Sequence, residues 1–100
     1  MPKTVMISIG ILTLIIHLPG CTSLKEKRGL LKPIIARLHR EFNISISEVD
    51  RQDSWQEAVL ACALVSNHHQ FSQQSLQKVV NFTISQYPNI QIIEHSIELL

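Results

Sequence analysis

A two-layer α+β domain of order βαββαβ is what this 100-residue sequence predicts, and three observations predict it. Two stretches carry apolar residues at the 3.6-residue helical period. Four others alternate, or run apolar, over strand lengths. Turn and capping residues separate them in that order. Hydrophobic residues make up 45% of the chain and charged ones 17%, too apolar for a disordered chain and too polar for a multi-span membrane protein. The length suits one domain over residues 1–100, with a core that needs neither disulfide nor metal.

The first strand is expected over residues 5–18, closed by Pro19-Gly20. Leu12, Leu14, Ile16 and Leu18 share one face, and Ile11, Thr13, Ile15 and His17 share the other. The same run followed by Leu18-Pro19-Gly20-Cys21 has the outline of an export signal with a lipoprotein-like box. His17 and Pro19 interrupt it, its Ile, Val and Thr content favours a strand, and a helix start follows Cys21 directly. The run is also too short and interrupted to span a bilayer, so a cytoplasmic protein is expected.

The first helix is expected over residues 23–41. Ser23-Leu24-Lys25-Glu26 has capping-box spacing, and Leu24, Leu31, Ile34, Ile35, Leu38 and Phe42 fall on one stripe. Lys27 sits at the edge of that stripe, where its stem covers apolar surface and its ammonium reaches water. Pro33 crowds the carbonyl of Gly29, whose flexibility eases the strain, so one kinked helix is expected rather than two.

A half-buried strand over residues 43–49 follows, with Ile44 and Ile46 alternating against Ser45 and Ser47. A polar stretch over 50–56 leads to an apolar strand over 58–65. The second helix spans 69–86, with Leu76, Val79, Val80, Thr83 and Tyr87 on its stripe and Phe71 and Phe82 at the edge. The last strand spans 90–99, with Ile93, His95, Ile97 and Leu99 alternating against Glu94, Ser96 and Glu98. With helix-linked strands parallel and the middle two a hairpin, this is the ferredoxin-like split βαβ sandwich: one antiparallel sheet, both helices on one face, the other face open.

No catalytic signature accompanies the fold. There is no nucleophile elbow, Gly-rich phosphate loop or metal motif, and neither an enzyme, a cofactor nor a metal site is expected. An enzyme reading would rest on the first loop, Pro19 to Ser23, whose hydroxyls precede a helix N-terminus. Cys62 lies in an apolar run and reads as a small buried hydrophobe. Adjacent His68 and His69 point about 100° apart on a helix and cannot chelate one ion alone; they read as surface histidines at a helix start. The two N-x-Ser/Thr sequons, at Asn43 and Asn81, fall in regular structure and read as chance. Sheet-face recognition of RNA needs aromatics on the central strands, and Phe42, Trp55, Phe71, Phe82 and Tyr87 do not supply them.

Charge patterning is more informative. The net charge is +1, yet residues 25–40 hold six bases and one acid. Lys25, Arg28 and Lys32 lie opposite the apolar stripe, with Arg40 near its edge. Together with Lys27 they are candidate phosphate contacts, neutralising a backbone without reading bases. The other candidate surface is the open sheet face. There Ile11, Thr13, Ile15 and His17 form a strip that a homodimer or protein partner would cover. Trp55, at the hairpin tip, reads either as a lid on the core edge or as a docking anchor, and the lid is the reading favoured here.

Several segments together resemble one family: His17-Leu18-Pro19-Gly20, Ser23-Leu24-Lys25-Glu26-Lys27-Arg28, Phe42-Asn43-Ile44-Ser45, Glu48-Val49, Gln52-Asp53, Trp55-Gln56 and Ser66-Asn67. In this order, over nearly the whole chain, they resemble the YlxP-like family of uncharacterised bacterial proteins. The resemblance implies a small cytoplasmic ferredoxin-like domain with no assigned enzymatic activity. Its genes often lie among those for translation and ribosome-maturation factors, which points to ribosomal RNA or a ribosomal subunit as partner. Pro33 and Ile15 depart from the family's usual pattern, the first inside the basic helix and the second on the open face.

Overall fold

The computed structural model describes residues 4–100; Lys3 and the first two residues of the expected 1–100 domain lie outside them. The elements are β1 (Ser8–His17), α1 (Leu24–Glu41), β2 (Ser45–Asp50), β3 (Glu57–Ser66), α2 (His69–Gln86) and β4 (Gln91–Leu99). The four strands form one antiparallel sheet of order β2-β3-β1-β4. β1 and β2 therefore run the same way but are split by β3, which is the ferredoxin-like arrangement the periodicities predict.

The core lies between the sheet and the helices. Leu12, Leu14, Ile16 and Leu18 present their side of β1 to Leu31, Ile34 and Leu38 of α1 and Leu76, Val79 and Val80 of α2. Across β3, Ala58, Leu60, Cys62 and Leu64 join the same cluster. Gly10 permits α2's approach, because a Cβ there would come within 2.7 Å of Leu76 Cδ1. Pro33 sits inside one helix, not between two.

Three local expectations need correction. The strand expected from residue 5 begins at Ser8, which lies opposite Ser66 at the end of β3, next to Ile9, which pairs with Leu100. Among the described residues, Val5 to Ile7 have no neighbouring strand, and they are exposed. On β4, alternation breaks at a bulge: Glu94 pairs with Ile15 but Ile92 with Ile16. Ile92 takes the core side and Ile93 is left 59% exposed. The capping box is also offset by one residue. Ser23 Oγ accepts from the Glu26 N–H at 3.0 Å, but the Glu26 carboxylate accepts from the N–H and hydroxyl of Thr22.

Candidate nucleic-acid interface

The first candidate surface is the outer face of α1. Seven residues make nearly two helical turns, so Lys25, Lys32 and His39 line up along one exposed stripe with spacings of about 10 Å. Arg28 and Arg40 lie to either side, and all five are exposed. Among the described residues, Lys25, Arg28, Lys32 and Arg40 form no salt bridge, whereas Arg37 pairs with Glu41 at 3.7 Å and lies over the Phe82 ring.

Lys27 does not belong to this surface. It is 1% exposed; its Nζ lies 2.9 Å from Glu48 Oε2 and donates to the Arg51 carbonyl at 2.7 Å. A lysine inside a core requires such partners, since an uncompensated buried charge costs several kcal/mol. The helical wheel places Lys27 correctly at the stripe's margin, but β2 and the hairpin close over it. Its ammonium ties α1 to the hairpin tip, where Arg51 has a left-handed φ of 60°. The Arg51 N–H donates to Asp50 Oδ1 at 2.8 Å, and its guanidinium pairs with Glu57 at 2.6 Å.

The charges separate by layer. α1 and α2 carry seven Lys and Arg against two acids, a net +5, while the four strands carry five acids and no Lys or Arg, a net −5. A polyanion is thus attracted to the helical layer and repelled from the sheet. On the open face, Ile11, Thr13, Ile15 and His17 are half-buried. Ile11 and Ile15 are paired on β4 with Glu98 and Glu94. Trp55 is 54% exposed, so the lid reading fails: the tip projects past the core.

The first loop is occupied by its own side chains. Thr22 and Ser23 are bonded to Glu26, which sets a carboxylate where a phosphate would approach the α1 N-terminus. Burial pushes the Cys62 thiol up to about 12, so it stays protonated and is no nucleophile at neutral pH.

A second polar cluster escapes sequence reasoning. Ser66 Oγ accepts from the His68 N–H at 3.2 Å and donates to the His68 carbonyl at 3.0 Å. Each hydroxyl has one proton to give. Ser72 therefore donates to Ser66 at 2.6 Å, and Ser8 donates to Ser72 at 2.9 Å. The His69 Nδ1–H then donates to Ser8 at 2.7 Å. His69 is half-buried by these bonds, not a surface histidine; of the adjacent pair, His68 alone is exposed. Residues 61 and 64 positions apart meet here, and none of the three serines marks itself in a linear reading.

Comparison with known proteins agrees with this architecture. The family described as "Protein of unknown function (DUF503)" matches residues 9–97. The chain belongs to this family. It is 44% identical over 69 residues to "Uncharacterized protein YlxP" of Bacillus subtilis (strain 168), covering 69% of this chain and 74% of that protein. Among solved structures, "De novo designed protein Foldit4" is similar with a TM-score of 0.53 at 13% identity. The match covers 93% of this chain and 96% of the other, and that likeness shows the fold alone. Within the family fold, among the described residues, no helix is long and apolar enough to cross a membrane.

Proposed function

We propose that this DUF503 family member is a non-enzymatic cytoplasmic accessory protein that docks on structured RNA, specifically on a ribosomal particle, through the outer face of α1. The observation that supports this most directly is the set of exposed cations outside salt bridges, Lys25, Arg28, Lys32 and Arg40. They face solvent on the cationic layer of a nearly neutral molecule. Lys and Arg so placed bind phosphates as charges and orient the protein without reading sequence.

The test is binding of the full chain to a hairpin of ribosomal RNA between about 50 and about 200 mM salt. Affinity is expected to fall steeply with salt. Combined Lys25→Ala, Arg28→Ala and Lys32→Ala should reduce the log–log salt slope by about 3, one for each lost phosphate contact. A salt-independent affinity, or an unchanged slope in the triple variant, overturns the reading. In lysates of the native host, co-sedimentation with a ribosomal subunit at low salt and release at high salt is the matching expectation.

A protein-docking module is the second reading, favoured by the exposed Trp55 and the isoleucine strip on a face without Lys or Arg. If that face joins two copies, Ile15→Lys abolishes self-association.

A further inference from the structure

The sheet has two outer edges, and they are built differently. The β4 edge carries Glu94, His95 and Glu98 along its length and a bulge at Ile93, features that keep strands from pairing with strangers. On β2 the irregularity and both charges fall at one end, between Glu48 and Asp50. The other half, Ser45 to Ser47, has neither charge, proline nor bulge. Among the described residues, the backbone of β2 bonds to β3 and to no other strand. Beside this bare edge runs a groove lined by Lys32, Ile35, Ala36 and His39 of α1 with Ser45 and Ile46. Its floor is aliphatic and Ala36 keeps its wall low.

We infer that β2 pairs antiparallel with β2 of a second copy of this chain, making one continuous eight-stranded sheet with both α1 helices on the same side. Ser45-Ile46-Ser47 reads the same in both directions. Pairing centred on Ile46 therefore sets Ser45 opposite the partner's Ser47 and Ile46 opposite the partner's Ile46, the self-complementarity a two-fold interface requires. The strand carboxylates comply as well, while Lys32 of each copy lines the merging grooves. Glu48 falls opposite the partner's Ile44, and the two Glu48 residues stand about 14 Å apart, four strand residues, beyond the Debye length of about 8 Å at physiological salt. On the helix side the two aliphatic grooves merge at the axis. The basic stripes then lie side by side, a doubled cationic face. The inference rests on the strand edge and groove and not on the RNA reading.

The experiment is sedimentation equilibrium of the full chain without nucleic acid, from about 5 to about 500 µM, a range that brackets a dissociation constant of about 50 µM. The average mass should rise with concentration from 11.4 kDa toward twice that. Ala36→Glu and Ser45→Lys, both at exposed positions, should keep the chain monomeric with unchanged circular dichroism, and Ile15→Lys on the open face should leave the dimer intact. Amide exchange at Ser45 to Ser47 should slow about tenfold at the high concentration. A monomer throughout overturns the inference, as does a dimer that survives both edge substitutions or is lost in Ile15→Lys. RNA binding by a strictly monomeric chain sinks this inference alone; a dimer that ignores RNA sinks only the docking proposal.

Discussion

The two helices have the same length, 18 residues, and rest on the same sheet, yet they are stabilised by opposite means. Both bury a polar residue at their fourth position: Lys27 in α1 and Ser72 in α2. In α1 that residue is an ammonium paired with a carboxylate and a carbonyl; in α2 it is a hydroxyl in a chain of neutral donors and acceptors. α1 carries a side-chain cap and six bases, while α2 carries no side-chain cap bond and a single charge, Lys78. Nearly all the charge of the helical layer is thus concentrated on α1, and α2 is a largely neutral support.

Breaking α1's inclusion should give the largest effect on stability. Lys27→Met removes both partners' counterpart, leaving the Glu48 carboxylate and Arg51 carbonyl without it, at a cost of about 3 kcal/mol. Urea unfolding is the measurement. Adding Glu48→Gln should restore part of the loss, since the remaining group is then uncharged. Lys25→Met, two residues away on the exposed side, should change stability by no more than about 0.5 kcal/mol. A Lys27→Met protein as stable as the parent would place the ammonium outside the core.

The hydroxyl chain that joins α2 to β1 and β3 should give a smaller effect. Ser8→Ala removes the link between His69 and Ser72, leaving buried polar atoms unsatisfied at a cost of about 1–3 kcal/mol. Because Ser8 and Ser72 act through one another, the Ser8→Ala, Ser72→Ala pair should cost less than the two single losses together. The direction of proton donation has its own readout. Nitrogen-detected magnetic resonance of the neutral imidazole should find the proton on His69 Nδ1, and a proton on Nε2 instead would reverse the assigned order.

The difference between the helices also marks how far the sequence could be read. Element order, the faces of β1 and the α2 boundaries follow from periodicity because each is a local property. Lys27 shows the limit: its position on the stripe is local, but its burial depends on Glu48 and Arg51, which only the β2–β3 hairpin brings to it. Ser8, Ser66, Ser72 and His69 show the same limit more strongly, since only the folded chain makes them a unit. Trp55 and Ile93 were misplaced for a related reason, as neither the projection of a hairpin tip nor a strand bulge has a period. The outer cations needed no partner to be recognised, so the candidate interface was the more legible part, apart from Lys27.

The smallest expected effects lie at the helix starts and sharpen the contrast most directly. Ser23→Ala removes the acceptor for the Glu26 N–H and should cost about 1 kcal/mol. At the same place in α2, His68 has the extended backbone of a cap, φ −153° and ψ 120°, but makes no side-chain cap bond. His68→Asp should therefore gain about 0.5–1 kcal/mol, because a carboxylate there can accept from the first-turn N–H groups and meets the positive end of the helix dipole. The Ser66 bonds to the His68 backbone do not depend on that side chain, so the hydroxyl chain should survive the change. If His68→Asp leaves the urea midpoint where it was, water already satisfies those donors. The contrast between the helices then resides in their buried residues and not in their ends.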